Sequence, residues 1–418
     1  MIDLKSLRAS PAQVRAALAR RGDPSLTRLL DEIEALDMKR RTLTAQLDQL
    51  KAERNDAAKA DALAAKSQGG LAPAVVAERR KLGERITALD SELKQVETTL
   101  EAKALFVPNL PLPEVPDELA ILRSWGTPAP KGGKPHWEIA EKLGILDLPR
   151  GAKLAGSGFP VLVGGGARLA RGLINFMLEL HGKQHGYVEV EPPLLVRREI
   201  MIGTGQLPKF EEDAYRTTDD LFLVPTAEVP VTNLHRDEIL EGTTLPRGYV
   251  AYTPCFRREA GAAGKDTRGL LRVHQFDKVE LVRFCRAADS PAEHETLTSH
   301  AEKVLQLLEL PYRVAVLPAN DLGFSGAKTY DLEAWAPGVG QWLEVSSSST
   351  FTDYQARRAN IRCRPRAGEK PEFVHTLNAS GVALPRTIAA LLETHQQPDG
   401  SVILPPALVP YVGTDRLA

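Results

Sequence analysis

The chain has 418 residues, of which 43% are hydrophobic and 26% are charged; these values fit a folded protein of two or three domains and exclude a disordered or fibrous chain. Because the formal net charge is −1, any nucleic-acid partner must be bound by a local basic surface and not by the overall charge. Three widely separated cysteines predict neither a disulfide framework nor a structural zinc, and no segment has the roughly 18 to 20 apolar residues of a membrane span. We therefore expect a soluble, cytoplasmic protein without a secretory signal.

Two long helices are predicted in the first hundred residues. Apolar residues alternate spacings of four and three from residue 29 to residue 50, and again from residue 75 to residue 100. Such spacing places one apolar stripe on each helix, and two stripes pack together as a coiled coil. Asp23 and Pro24 indicate a helix start, and the glycine-rich residues 67–73 indicate a turn between the helices. We predict an antiparallel hairpin over about residues 27–100, called the arm below.

Two functions are open for the arm. Coiled coils most often hold subunits together. The alternative is an arm that reaches a large ligand, because it offers basic side chains for phosphates. These side chains are Arg40, Arg41, Lys51, Arg54, Lys59, Arg79, Arg80 and Lys81. Acidic residues are interleaved throughout, so charge alone does not decide between the two functions.

A domain boundary is predicted near residue 105, where the proline-rich residues 108–113 end the helical pattern. It separates an N-terminal helical domain, residues 1–107, from a second domain, residues 108–418. The second domain mixes helical segments with β-type runs that often follow one another without a helix between them. The predicted fold class is therefore α+β, with the coiled-coil arm followed by a domain built on a mainly antiparallel β-sheet.

Residues 253–284 form the most informative stretch, in which two β-type runs flank a loop rich in charge and glycine. Arg257 ends the first run, where a guanidinium held in place can make bidentate contacts with a phosphate or carboxylate. Glu280 lies inside the apolar return run. A carboxylate there is costly unless a group pairs with it, and an ammonium or hydroxyl of a bound substrate would do so. This stretch is therefore the strongest candidate for a ligand site.

The same stretch closely resembles motif 2 of the class II aminoacyl-tRNA synthetases, and in detail that of the seryl-tRNA synthetase family. The family's other segments have counterparts in the same order: 186–193 (motif 1, the dimer-forming element), 203–210 and 224–230 (substrate-side loops), 321–331 and 344–347 (later strands), and 381–391 (motif 3). The N-terminal hairpin resembles the family's tRNA-binding arm, so the resemblance covers essentially the whole chain.

The resemblance implies roles for individual residues. The residues that it implies for serine binding are Thr226, Ala227, Glu228, Glu280 and Ser380. Those implied for ATP binding are Arg257, Arg258, Glu259, Phe276, Glu344, Val345, Ser346, Ser347 and Arg386. Among these, Arg257 and Arg386 are the implied catalytic residues, and Glu344 and Ser347 are the implied Mg²⁺ ligands.

The implied function is ATP-dependent attachment of L-serine to tRNA(Ser) through a seryl-adenylate, by a homodimer whose arm binds the tRNA. Serylation of tRNA(Sec) stays open. The alternative is a synthetase-like enzyme that activates serine, or a similar amino acid, for transfer to a carrier protein. The intact arm speaks against this alternative, because a carrier protein has no evident need of it.

Four positions depart from the usual pattern of the family. Arg258 replaces a small serine, Ser348 stands where cysteine is common, and Ala379 and Pro385 replace glycines near motif 3. None of these departures removes Arg257, Glu280 or Arg386, so the implied chemistry is retained.

Overall fold

The computed structural model describes residues 1–68, 72–260 and 268–418, which divide into two compact units. One unit is Ile2–Pro108, and the other is Asn109–Ala418 together with Met1. The glycines of the predicted arm turn (Gly69 and Gly70) and residues 261–267 of the predicted motif 2 loop lie outside the described residues. Within the described residues, no helix is long and apolar enough to cross a bilayer.

In its described residues the N-terminal unit has four helices: α1 Leu4–Ala9, α2 Pro11–Ala19, α3 Ser25–Gln68 and α4 Pro73–Ala104. At about 1.5 Å per residue, the 44 residues of α3 extend over roughly 66 Å. The predicted helix start is present, because Asp23 Oδ1 accepts hydrogen bonds from the backbone N–H and hydroxyl of Ser25 (2.9 and 2.6 Å).

The helices α3 and α4 pack against each other through the predicted apolar stripes. Leu47, Leu50 and Ile86 are buried between them, next to partly buried leucines of α4. Ion pairs join Glu32 to Lys103, Lys39 to Glu92 and Asp61 to Arg79 across the pair. The numbers in α4 fall as those in α3 rise, so the helices are antiparallel, and the predicted coiled-coil hairpin is confirmed.

The second unit has short helices and many strands. Its α-helices are α5 His136–Lys142, α6 Leu148–Ala155, α7 Gly165–Glu179, α8 Arg198–Thr204, α9 Glu228–Thr232, α10 Ser290–Leu307, α11 Tyr354–Ala359, α12 Leu384–Thr394 and α13 Val409–Val412. A π-helix, Leu180–Gln184, continues α7, and 3-10 helices cover Glu211–Asp213, Asn233–His235, Gly242–Thr244 and Ala287–Asp289.

The strands of this unit form one large sheet and several small ones. They are β1 Ala120–Trp125, β2 Leu146–Asp147, β3 Val161–Leu162, β4 Val188–Glu189, β5 Leu195–Arg197, β6 Leu221–Leu223, β7 Ile239–Glu241, β8 Arg247–Phe256, β9 Gln275–Cys285, β10 Tyr312–Val316, β11 Lys328–Ala336, β12 Gln341–Thr350, β13 Arg362–Arg364, β14 Glu372–Phe373, β15 His375–Ala383, β16 Val402–Ile403 and β17 Arg416–Leu417.

The large sheet has the order β1-β10-β11-β12-β15-β9-β8-β4. All its neighbouring strands are antiparallel except β4 and β8, which are parallel. The prediction of a mainly antiparallel sheet is therefore confirmed.

The two faces of the large sheet have different neighbours, because successive side chains of a strand point to opposite faces. On β9, Val279 and Leu281 belong to the main core, which also contains residues of α7, α10 and α12. Val282 and Phe284 face the other way, into a smaller apolar cluster with residues of α9 and α11. The even-numbered residues of β9 therefore lie on the sheet face that the three core helices leave open.

Candidate active site

A cavity of about 790 Å³ lies on this open face. Residues of β9, β12 and β15 line it, together with the first turn of α12 and the described ends of the loop between β8 and β9. Further walls come from the loop after α8, the turn before α9 and the loop before β11. Segments far apart in sequence thus meet around one space that is large enough for a nucleotide-sized ligand.

Three side chains of β9 point toward the cavity side: Phe276, Lys278 and Glu280, each two residues from the next. Lys278 is almost fully buried, and its Nζ donates to Thr226 Oγ1 (2.8 Å) and forms an ion pair with Glu280. The partner that Glu280 requires is therefore supplied by the protein itself, and not only by a substrate as the sequence interpretation assumed.

A second carboxylate, that of Glu228, lies beside Glu280. Asn378 Nδ2 donates to both, at 3.2 Å to Glu228 Oε2 and 2.5 Å to Glu280 Oε1, and Gln355 donates to Glu228 Oε1 (2.6 Å). Burial raises the pKa of Glu228 to about 7, and the charge of Glu280 adds to this rise. When Glu228 is ionised, the two buried carboxylates outweigh the one ammonium of Lys278, and the pocket can take a further cation.

Arg257 follows β8, and only one nitrogen of its guanidinium, Nε, donates a hydrogen bond to a described residue. Its backbone pairs with that of His274, and its Nε donates to Pro225 O (3.4 Å). The guanidinium carbon lies 5.1 Å from the ring centre of Phe276. Within the part of the chain that the structure describes, neither of its Nη atoms donates a hydrogen bond to protein. The planar fork is therefore available to an anion in the cavity.

Glu259 and the backbone on either side of it are fixed by two neighbours. Asp213 accepts hydrogen bonds from the backbone N–H groups of Arg258 and Ala260, both at 2.9 Å. Glu259 has a left-handed backbone (φ 51°), and its carboxylate accepts from Arg272 Nη1 (2.5 Å). Glu259 therefore faces the cavity, whereas the side chain of Arg258 is exposed and is not part of the wall.

At the other end of the cavity, Arg386 in the first turn of α12 contacts Glu344. Its Nη1 donates to Glu344 O (2.9 Å) and Oε2 (3.2 Å), and its Nε donates to Leu271 O (3.1 Å). Ser347, three residues after Glu344, also lines the cavity. Opposite Ser347 on β11, Asp331 has a buried Oδ1 that makes no hydrogen bond to any described residue. Burial and the charge of Glu344 raise the pKa of Asp331 to about 8.

Comparisons with known proteins identify the family. A model of the class II tRNA synthetase core domain (G, H, P, S and T) matches residues 209–395, and a model of the seryl-tRNA synthetase N-terminal domain matches residues 1–111. A serine–tRNA ligase of Gemmatimonas aurantiaca is 56% identical, with 100% of both chains covered. The chain belongs to the seryl-tRNA synthetase family. It is therefore a class II aminoacyl-tRNA synthetase, and this prediction from the sequence is confirmed.

Other relatives agree with this assignment. A serine–tRNA ligase of Pelobacter propionicus is 53% identical over 99% of both chains. Among solved structures, seryl-tRNA synthetase from Pyrococcus horikoshii complexed with ATP has a TM-score of 0.94 and 38% identity, covering 100% of this chain and 99% of its own. The cytoplasmic serine–tRNA ligase from Naegleria fowleri in complex with AMP has a TM-score of 0.85 and 30% identity, with 97% and 95% covered.

Most residues singled out through the resemblance to seryl-tRNA synthetases meet in the cavity wall. Those that line it are Thr226, Glu228, Arg257, Glu259, Phe276, Glu344, Val345, Ser346, Ser347, Ser380 and Arg386. Glu280 lies directly behind the wall, bonded to Lys278 and Asn378. The structure does not bring Ala227 or the side chain of Arg258 to it: Ala227 is fully buried in the apolar cluster beneath α9.

The structure also explains three of the departures from the seryl-tRNA synthetase pattern. Ser348 points away from the cavity, and its hydroxyl hydrogen-bonds to Thr298 of α10 (2.8 Å). Ala379 is buried in the main core, and Pro385 lies in the first turn of α12, where a proline needs no donor. For Arg258, nothing in the structure explains the exchange.

Sequence reasoning missed Lys278, Asn378 and Gln355, which hold the two carboxylates in place. Lys278 had a usable signal, because it lies two residues before Glu280 in the same apolar run and hence on the same face of the strand. Asn378 and Gln355 had none, since their partners lie 98 to 150 residues away in the chain.

Proposed function

We propose that this chain activates L-serine with ATP to form seryl-adenylate and pyrophosphate, and then transfers the seryl group to the terminal ribose of tRNA(Ser). This proposal rests on one observation: an acidic pocket around Glu228 lies in the same cavity as the guanidinium of Arg257. The Nη atoms of that guanidinium make no hydrogen bond to a described residue. The relatives named above are serine–tRNA ligases, and one of them was solved with ATP.

The acidic pocket is the serine site of this proposal. Glu228 and Glu280 attract the ammonium group, and Thr226 and Ser380 lie where the small polar side chain is held. Polar groups that are committed to a substrate hydroxyl are left unpaired by alanine or glycine, so these amino acids are rejected. Threonine must be rejected by the limited space.

Activation joins two anions, and positioning is therefore the main task of the site. An oxygen of the serine carboxylate forms a bond to the α-phosphorus as the bond to the pyrophosphate oxygen breaks. Arg257 bridges the carboxylate and the α-phosphate and stabilises the charge that develops between them. Phe276 stacks on adenine, Glu259 accepts a hydrogen bond from it, and Arg386 contacts the γ-phosphate.

The residues at the Arg386 end of the cavity fit a magnesium ion. Mg²⁺ prefers oxygen ligands and is commonly held by one or two carboxylates together with substrate phosphates. Glu344 and Ser347 supply such oxygens from the cavity wall, and Asp331 adds a buried carboxyl beside them, whose Oδ1 makes no hydrogen bond to a described residue. Glu344 and Ser347 would hold the ion, which would neutralise phosphate charge, and Arg386 would contact the phosphates directly.

The proposal assigns tRNA binding to the arm and catalysis to a cytoplasmic homodimer. In this arrangement the arm of one subunit grips the long variable region of the tRNA, and the acceptor end enters the site of the partner. Motif 1, residues 186–193, supplies the dimer contact. The exposed apolar side chain of Val188 on β4 supports this assignment.

Charging of unfractionated tRNA with labelled serine tests the proposal, with threonine, alanine and glycine as controls. We expect incorporation of serine alone, and purified tRNA(Sec) should then be tested as a second acceptor. An enzyme that loads threonine or alanine as well as it loads serine would contradict the proposed pocket.

Transfer to a carrier protein is not favoured, because residues 1–111 match the N-terminal domain of the tRNA-charging family. Replacement of residues 27–100 by a short linker should spare serine-dependent exchange between ATP and pyrophosphate and abolish tRNA charging. If the shortened enzyme still charges tRNA efficiently, the arm does not have the proposed role.

A further inference from the structure

A fully buried histidine–glutamate pair lies outside the cavity wall and takes no part in the chemistry described above. His136 begins α5 and Glu393 lies near the end of α12, and neither side chain is exposed. The Oε1 atom of Glu393 accepts from the backbone N–H of His136 (2.9 Å) and from its Nδ1 (2.8 Å). The Oε2 atom accepts from Val339 N–H (3.0 Å). Burial of a carboxylate is costly unless it is hydrogen-bonded, and here both oxygens of Glu393 accept hydrogen bonds.

The hydrogen bonds show which ring nitrogen of His136 donates and which accepts. His136 Nε2 accepts from the backbone N–H of Leu270 (3.1 Å), so this nitrogen carries no proton. The proton lies on Nδ1, which donates it to the carboxylate of Glu393. The backbone approaches the ring closely here: a Cβ atom at Gly269 (φ +69°) would lie 2.2 Å from Nε2. Glu393, His136 and the backbone of residues 269–270 therefore form one rigid unit.

The backbone that His136 holds is the return end of the loop between β8 and β9, which borders the ATP half of the cavity. Leu271, the residue after Leu270, has the carbonyl oxygen that accepts a hydrogen bond from Arg386 Nε (3.1 Å). One position further, Arg272 donates to Glu259 (2.5 Å). The two groups proposed for the γ-phosphate and for adenine are thus both oriented from this short segment.

We infer that His136, oriented by Glu393, is a positioning residue for ATP: it fixes the loop return so that Leu271 O holds the guanidinium of Arg386. The inference rests on the proposed function. The serine pocket is supported separately, through Lys278 and Asn378, neither of which bonds to His136. Substitutions in the His136–Glu393 pair should therefore weaken ATP binding and leave serine binding nearly unchanged.

Two substitutions of His136 test the roles of its two ring nitrogens separately. In His136→Asn, the amide can take the place of Nδ1 and donate to Glu393, but Leu270 N–H loses its acceptor. In His136→Gln, the amide oxygen can reach the position of Nε2 and accept from Leu270. We expect His136→Asn to raise the KM for ATP about tenfold, because a buried N–H is left unpaired, with a change in the KM for serine of less than about twofold. His136→Gln should restore most of the affinity for ATP.

The measurements are serine-dependent ATP–pyrophosphate exchange and calorimetric binding of a non-hydrolysable ATP analogue. His395→Asn is the matched control, because this partly buried histidine of the same region donates to Leu308 O (3.0 Å), away from the cavity. It should lower the thermal stability without a selective effect on ATP. If His136→Asn does not fold, Glu393→Gln must raise the KM for ATP selectively, because its amide has one acceptor oxygen where the carboxylate accepts three hydrogen bonds.

Each outcome bears on the inference. Equal rises in the KM for ATP and for serine, or equal behaviour of the Asn and Gln variants, would show a merely structural role and overturn it. If the unchanged enzyme supports no serine-dependent exchange, the proposed function fails instead. Calorimetry with the ATP analogue then still tests whether His136 orients the nucleotide half of the cavity.

Discussion

Glu228 and Glu280 are two buried carboxylates joined by the amide of Asn378, with one lysine, Lys278, to balance them. This arrangement leaves one carboxylate without a full counter-charge when no substrate is bound. The deficit falls on Glu228, because burial raises the pKa of this carboxyl to about 7. An ammonium group that binds beside Glu228 supplies the missing charge and favours its ionised form.

Serine binding should therefore depend on pH around neutrality. The ionised fraction of a group with a pKa near 7 falls about tenfold between pH 8 and pH 6, so the affinity for serine should fall by a similar factor. The affinity for serine falls at lower pH because protonated Glu228 is neutral and no longer attracts the ammonium group. Calorimetric titration of serine across this range measures the effect.

The variant Glu228→Gln provides the control for this prediction. It has nearly the same shape and no titratable group, so its weaker serine affinity should not change between pH 6 and pH 8. A wild-type affinity that is also constant, or a variant with the same pH dependence as the wild type, would contradict the role of Glu228 as the titrating group.

Glu280 and Glu228 differ in how well the sequence alone predicts a role in ligand binding. Glu280 was recognisable from the residues alone, because a carboxylate in an apolar run requires a partner. Glu228 was found only through the family resemblance, and its neighbours Gln355 and Asn378 not at all. Their proximity results from the pairing of β9 with β15 and the packing of α11, which no local pattern encodes.

At the scale of elements, the arm was predictable because its regularity is local. The four-three spacing specifies both helices, and their ion pairs confirm the antiparallel direction. The strand order of the large sheet was not predictable in the same way. β12 is paired with β15, and β15 with β9, through segments that are distant in the chain. Strand alternation predicts a strand but not its neighbour.

Ion pairs within the arm indicate which of its basic side chains can bind RNA phosphates without first losing a carboxylate partner. Lys59 is paired with Asp56 (3.2 Å) and Arg80 with Glu84 (3.5 Å). The exposed Arg54 and Lys81 have no ion pair with a described residue. An unpaired cation can bind a phosphate without first losing a carboxylate. We therefore expect these two residues to contribute more to tRNA binding than their paired neighbours.

The double variant Arg54→Ala/Lys81→Ala should raise the KM for tRNA about tenfold and flatten its dependence on salt, because two phosphate contacts are lost. Lys59→Ala/Arg80→Ala removes one cation from each helix in the same way and should have a much smaller effect. Charging rates at several salt concentrations measure both. Equal losses in the two variants would show that ion pairing within the arm does not select the contacts.

At the scale of the whole molecule, the large sheet ends in two edge strands, β1 and β4. Both expose apolar side chains: Ile121 on β1 is 46% exposed and Val188 on β4 is 56% exposed. An exposed apolar edge invites pairing with another chain. Burial alone does not distinguish the two edges. The family resemblance does so, because β4 lies within motif 1, the dimer-forming element, and β1 lies outside it.

The two edges therefore provide a matched test of the proposed homodimer. Val188→Asp places a charge on the motif 1 edge and should convert the protein largely to monomers, because a buried unpaired carboxylate in an interface is strongly unfavourable. Ile121→Asp makes the same exchange on the opposite edge and should leave the dimer intact. Sedimentation velocity at several protein concentrations measures both, and thermal unfolding verifies that each variant is folded. Dissociation by Ile121→Asp, with Val188→Asp still dimeric, would assign the interface to β1 and contradict the role proposed for motif 1.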